Sequence, residues 1–370
     1  MNASLTGSLS PPGGVEVALG AWRERLRALG ARPVHEARVL RLWSQALPQD
    51  SGRRRLEDFI PASLREALPQ LAQELASLAR LRSRHPAQDG AERLLVDLAD
   101  GQAVESVLLP RGGLCVSSQI GCAVGCVFCM TGQSGLLRQL GSAEIVAQVV
   151  LARTLRSVNK VVFMGMGEPA HNLDAVRDAL DLLGTAGNIG HKNLVFSTVG
   201  DRRVFTQLPM GRVKPALALS LHSTRDDLRR QLLPRAPRID VAELVELGEA
   251  YARATGYPIQ YQWALLDGVN DGDDEIAGLV RLLHGRYAIL NLIPYNAVDG
   301  LPYQRPPAER CEAMARTLHQ RGILTKLRQS AAQDVDGGCG QLRSRVTGVQ
   351  RVQAPRSLRA KPELAAVEPT

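Results

Sequence analysis

The chain of 370 residues contains no uninterrupted apolar run of about 18 residues, so no segment reads as a membrane-spanning helix. It shows no repeat of fixed short period and no secretory leader. Cysteine is scarce, at six residues, which argues against a disulfide framework and for a reducing cytosol. The G-x-G-x-x-G fingerprint is missing, so nicotinamide binding has little support. What is present is an ordinary core-forming share of hydrophobic residues, 45%, with 45 basic against 37 acidic side chains, net +8. That balance favours a polyanionic partner, although basic enzymes without one exist.

The few cysteines are concentrated. Cys122, Cys126 and Cys129 fall in Gly121-Cys-Ala-Val-Gly-Cys-Val-Phe-Cys129, a C-x3-C-x2-C spacing. Three thiolates so placed can hold three irons of a cubane [4Fe–4S] cluster and leave the fourth without a protein ligand. A cofactor on that open iron can take an electron directly, whereas clusters that only carry electrons usually fill every corner. A structural zinc site wants four ligands, commonly two separated pairs, and the next histidine in the chain is His171.

Residues 1–14 are rich in Ser, Gly and Pro and are expected to be disordered. Apolar residues at helical spacing, Leu64, Leu68, Leu71, Leu75 and Leu78 among them, predict a helical unit over 15–93. Leu94–Leu98 and Val104–Leu109 flank Asp100-Gly101, a hairpin signal that makes 94–111 a linking hairpin. From 112 to 345 strands alternate with amphipathic helices. The strands are placed at Leu114–Ser118, Lys160–Met164, Asn193–Thr198, Ala216–Leu221, Pro258–Leu265 and Ala288–Pro294. Six such units predict an α/β fold with a parallel sheet, a partial (β/α)6 TIM-like barrel, though an open doubly wound sheet reads similarly. In both, ligands gather at the C-terminal ends of the strands. Residues 346–370 form a basic flexible tail. Arg53-Arg54-Arg55, Arg80, Arg82, Arg84 and Arg93 mark one end as basic, and Arg343, Arg345, Arg351, Arg356, Arg359 and Lys361 the other, as a nucleic-acid groove would require.

The strand ends carry small and polar groups. Lys160–Met164 runs into Gly165-x-Gly167-Glu168, where the glycines admit a ligand to the backbone and the carboxylate can hold an ammonium. Ser197-Thr198, Ser220-Leu221-His222 and Asn296 end further strands. Four polar ends in one array favour a bound polar cofactor.

C-x3-C-x-Phe-C with Gly-Glu-Pro, Ser-Thr and Ser-Leu-His strand ends resembles the radical S-adenosylmethionine superfamily. Within it, Leu114-Cys-Val-Ser-Ser-Gln-Ile-Gly-Cys122 and Asp336-Gly-Gly-Cys-Gly-Gln-Leu342 resemble the RlmN/Cfr family of RNA adenosine methyltransferases, from about Glu105 to Leu342. The resemblance implies that Cys122, Cys126 and Cys129 bind the cluster, and that Gly167, Glu168, Ser197, Ser220, Leu221, His222 and Asn296 contact S-adenosylmethionine. It makes Cys339 the methyl carrier, Cys115 its partner in a transient disulfide, and Glu105 the proton acceptor. In that scheme one cofactor molecule methylates Cys339. A second yields a 5′-deoxyadenosyl radical that takes hydrogen from the S-methyl group, and the methylene radical adds to the adenine. The implied partners are unstacked adenosine in ribosomal or transfer RNA and a reductase such as flavodoxin or ferredoxin. A cytoplasmic monomer is expected, with no membrane association. C2 of adenine is the expected position and C8 the alternative. A non-catalytic iron–sulfur protein that binds RNA or senses redox state is the reading from another class. Ser330-Ala-Ala-Gln-Asp334 and Gly135-Leu136 depart from the family pattern and mark a divergent member. Cys311, on the helical run Ala308–Gln320, fits no role and is expected in the core.

Overall fold

The computed structural model describes residues 17–52, 55–133 and 135–343. The expected disordered leader, Arg53, Arg54 and the basic tail beyond Arg343 lie outside the described residues. Ten strands form one sheet, in the order β1 (Arg80–Pro86), β2 (Glu92–Asp97), β3 (Ala103–Leu109), β4 (Gly113–Cys115), β7 (Lys160–Phe163), β8 (Leu194–Thr198), β9 (Ala216–Ser220), β10 (Ile259–Leu265), β11 (Ala288–Pro294) and β12 (Thr325–Leu327). A separate antiparallel pair, β5 (Gln119–Gly121) and β6 (Leu136–Gln139), brackets the cysteine triplet. The chain runs antiparallel from β1 to β4 and parallel from β4 onward. Among the described residues no ladder joins β12 back to β4, so the parallel array is an open partial barrel.

All six expected strands are present. A seventh parallel strand, β12, follows the helix Ala308–Gln320; three residues are too few to display a pattern. The predicted helical unit ends early. Its last helix is Ala62–Ser77, and Arg80–Pro86 is strand, not helix. Arg-Leu-Arg-Ser-Arg-His has no apolar face to announce it, and pairing with β2 (Arg84 opposite Leu94) is what defines it. Nor is 94–111 a mere link, because β3 pairs with β4 and so extends the main sheet. The basic run over this strip is largely matched: Arg82 bridges Asp97, Arg84 bridges Glu92 and Arg93 bridges Glu105.

The N-terminal helices dock on the barrel's outer helices. Leu19, Trp22 and Leu26 from Leu19–Ala28, with Val39, Leu40 and Trp43 from Pro33–Ser44, join the main core. Each large side chain so buried contributes about 1.5–3 kcal/mol. Leu19 N–H donates to Ser142 Oγ (2.9 Å) and Gln45 Nε2 to the Ala186 carbonyl (2.7 Å), fixing the orientation. Strand β10 is buried on both faces, as parallel strands under helices are, and supplies Tyr261 and Trp263 to a rigid centre. That rigidity holds the strand ends in place.

Candidate active site

A cavity of about 970 Å³, its open mouth included, sits at the C-terminal ends of β7 to β11. It is within the size range of cofactor sites. Its wall contains Cys122, Cys126, Cys129, Gly167, Glu168, Ser197, Ser220, His222, Asn296 and Cys339 together. Three expected residues do not line it. Leu221 is fully buried in the main core between Ser220 and His222. Strand alternation turns its side chain away. Cys115 and Glu105 lie behind the wall, and Cys311 packs in the core as expected.

The triplet lies in the loop after β5, anchored where Cys122 N–H donates to the Gly135 carbonyl (2.9 Å). Burial pushes the Cys122 thiol up to about 12 and raises Cys126 and Cys129 as well. A bound metal cluster reverses that penalty, since coordination deprotonates a thiol outright. Among the described residues no three Cys, His, Asp or Glu side chains converge on a point suited to one ion. The donor set is soft thiolate, with Phe128 shielding it at 8% exposure. One buried polar atom of the wall, Asn296 Oδ1, lacks a partner within the protein. These features fit a cluster carrying a polar cofactor.

The Gly167-Glu168 turn is built against β5. Glu168 N–H donates to Gln119 Oε1 (2.7 Å), and Gly167 has φ +105°. A Cβ there would come within 2.6 Å of Gln119 Cβ. Gly167→Ala is therefore expected to cost about 2–3 kcal/mol from left-handed strain plus overlap, read as a lower urea midpoint. Glu168 is 4% exposed. Its Oε1 accepts from Ala170 N–H (3.0 Å) and its Oε2 from Val199 N–H (2.9 Å). Burial pushes this carboxyl up to about 7, against the pull of those two donors. An arriving ammonium would restore its charge. Glu168→Gln should raise the dissociation constant for S-adenosylmethionine roughly 10- to 100-fold, the value of one charge-assisted hydrogen bond, by equilibrium dialysis of the reconstituted protein.

His222 has φ +63°. Its Nδ1 accepts from Ala264 N–H (2.9 Å), which leaves the neutral ring's proton on Nε2. Burial, then the nearby Arg229 cation, pushes it down to about 3, so it is a fixed neutral donor. Phe128 meets it edge to face at 5.0 Å, joining the triplet loop to the end of β9. Asn296, after β11, donates from Nδ2 to Ser330 Oγ (2.9 Å) and to the Cys339 carbonyl (2.9 Å). Its acceptor thus stays available while its donor pins the Cys339 loop.

Cys339 is exposed and Cys115 is buried on β4; both are free thiols, so the expected disulfide is not formed here. Burial pushes the Cys115 thiol up to about 12. Glu105, on β3, has no exposed surface and pairs with Arg93.

Sequence reasoning missed Gln119, Gln262, Arg229 and Arg93. Gln262 lines the cavity from β10. Arg229 donates to the Val199 and Ser220 carbonyls and ties two strand ends. Arg93 had a usable signal. In the β2–β3 register Leu95 faces Glu105, so Arg93 lies diagonally from Glu105 on one face of the hairpin.

An open parallel barrel with three clustered cysteines and a polar cradle at its strand ends defines a radical S-adenosylmethionine enzyme, and the radical SAM superfamily model matches residues 116–280. The chain is 72% identical over 323 residues to a "Probable RNA methyltransferase" of Leptothrix cholodnii, covering 87% of this chain and 93% of that protein. It is 67% identical over 326 residues to a Pseudomonas aeruginosa protein of the same description, covering 88% and 94%. Among solved structures it resembles a radical SAM methyltransferase from Sphaerobacter thermophilus, with 34% identity, a TM-score of 0.77, and coverage of 90% of this chain and 99% of that one. The chain belongs to this RlmN/Cfr-like family of radical S-adenosylmethionine methyltransferases. Membership brings a [4Fe–4S] cluster and S-adenosylmethionine with it. No described helix is long and apolar enough to cross a membrane.

Proposed function

We propose that the protein methylates a ring carbon, C2, of an adenosine in ribosomal or transfer RNA, with Cys339 as the methyl carrier. The observation that carries this reading is one cavity walled by Cys122, Cys126, Cys129, the cofactor cradle and Cys339 at once. A sensor or electron carrier has no use for a free thiol in the same wall as the three clustered cysteines.

When bound on Cys122, Cys126 and Cys129, the cluster and its cofactor would supply a methyl group and then a hydrogen-abstracting radical. The chain's own residues do the rest. Glu168 orients the cofactor's ammonium, and Asn296 Oδ1 and His222 Nε2–H meet its other polar groups. Cys339 receives the methyl group and presents it to the ring. Glu105 accepts the ring proton while the adduct's unpaired electron passes to a one-electron acceptor, a role the oxidised cluster would fill. The Cys115 thiolate then attacks Cys339 sulfur, the displaced carbon takes up a proton to become the methyl group, and a disulfide is left that a reductant reopens. A low-potential one-electron donor such as flavodoxin or ferredoxin serves a monomeric, cytoplasmic enzyme. The relatives' descriptions as RNA methyltransferases and the net charge of +8 support RNA as substrate.

The test is anaerobic reconstitution with iron and sulfide, then reaction with S-adenosylmethionine, reductant and RNA from a strain lacking the gene. Mass spectrometry of the nucleosides should show a new methyladenosine with the retention time of the C2 isomer. The C8 isomer would move the assignment to C8. Cofactor cleavage with no methylated nucleoside would remove RNA as the substrate.

A further inference from the structure

We propose that Arg93 and Glu105 form a clasp linking the proton acceptor to the Cys339 loop, so that the loop stays closed while Glu105 is ionised and is released when Glu105 is protonated. This rests on the roles of Glu105 and Cys339 proposed above. Arg93 is 5% exposed and Glu105 is 0% exposed. Arg93 Nη1 donates to Glu105 Oε1, while Arg93 Nε donates to the carbonyl of Val335, on the N-terminal side of Cys339. Glu105 Oε2 accepts from Arg343 N–H (2.9 Å), on the C-terminal side. One buried ion pair therefore grips both ends of the segment that carries the thiol.

The grip extends into packing. A Cβ on Gly337 would lie 3.4 Å from Arg93 Cβ, so the loop rests directly on the arginine. Arg343 and Asp336 close the loop's base across 3.0 Å. Ala332 and Asp336 hold positive φ, +57° and +56°, a strained course for residues with side chains. Strain of that kind persists only while other contacts over-determine it, and the clasp supplies such contacts.

The linkage follows from charge. A buried guanidinium whose carboxylate partner becomes neutral is left as an uncompensated cation, and the closed arrangement loses its stabilisation. The proton moves from the ring carbon to Glu105 Oε2, and the C–H electron pair stays with the ring. Oε2 keeps a second lone pair for that proton while the Arg343 N–H and Arg93 still hold the carboxylate. Protonation of Glu105 therefore frees the loop. Cys339 is thereby held in the clasped loop until the ring proton has gone. Arg93 acts here as a positioning residue.

Hydrogen exchange by mass spectrometry on the full-length, cluster-reconstituted protein without RNA tests the clasp apart from turnover. Arg93→Met and Glu105→Gln should each speed exchange over residues 335–343 by roughly 10- to 100-fold, and the double variant by no more than either single change. Arg93→Lys, which keeps the cation, should fall between, and oxidant-driven closure of the Cys115–Cys339 disulfide should quicken in the same order. Exchange in β10 should not change, which separates release of the loop from general loosening of the fold. Unchanged exchange over 335–343 in both single variants, or multiplying effects in the double, would overturn the proposal. If Arg93→Met fails to fold, Arg93→Lys and Glu105→Gln decide the question. Failure to form methyladenosine would count against the function proposed above and leave this exchange result standing.

Discussion

Cys339→Ala is expected to lower methyladenosine formation by on the order of 10⁴-fold or more, the scale seen when a covalent nucleophile is removed. Protein, cluster and cofactor binding should survive it. Cys339 is exposed, and the protein grips it through its backbone carbonyl, which Asn296 would hold equally well in an alanine. Removing one exposed sulfur from such a site should change stability by less than about 0.5 kcal/mol. Quantified nucleosides from reactions with equal iron content give the readout, with released 5′-deoxyadenosine measured alongside. The adenine ring carbon is a poor nucleophile toward a sulfonium methyl, so no direct route should rescue the variant. Methyladenosine persisting near the wild-type level would show that the methyl group does not pass through Cys339, and the relay would have to be abandoned.

The pattern of function that the sequence carries is mostly local. The cysteine triplet, Gly167-Glu168, Ser197, Ser220 and His222 each lie within a few residues of a strand end, and short apolar runs locate most of those ends. A parallel sheet then gathers them at one side, which is why a linear reading anticipated the cavity wall. Elements without a local signature escaped it. Strand β1 is defined by its partner, and β12 has three residues. Leu221 differs from its two neighbours, for alternation buries its side chain in the core while Ser220 and His222 line the cavity. Arg93 shows the deepest limit. In sequence it belongs to a run of cations; its pairing with Glu105 follows from the hairpin register, but its hold on Val335, far along the chain, does not. Long-range polar contacts of this kind have no period to detect.

Cys115→Ala should stop the reaction one step later, with the RNA still joined to Cys339. If Cys115 supplies the thiolate that attacks the carrier sulfur, its loss leaves methylation begun and release blocked. The expected result is a stoichiometric protein–RNA adduct, seen as a shifted band and by intact mass, that is absent when Cys339 is also changed to Ala. The change removes one buried sulfur from β4 and should cost about 1–2 kcal/mol, leaving a folded protein. The wild-type release step also carries a pH signature. Burial pushes the Cys115 thiol up to about 12, so at neutral pH only on the order of 10⁻⁵ of it is thiolate. The thiolate is the attacking form, and its fraction rises about tenfold per pH unit as long as the pH stays below 12. Single-turnover release should therefore accelerate from pH 7 to pH 9 with a slope near one on a logarithmic scale. A flat profile would mean that the opening of the Cys339 loop, not ionisation of Cys115, sets the rate. Free methyladenosine leaving Cys115→Ala at the wild-type rate would exclude Cys115 as the resolving thiol.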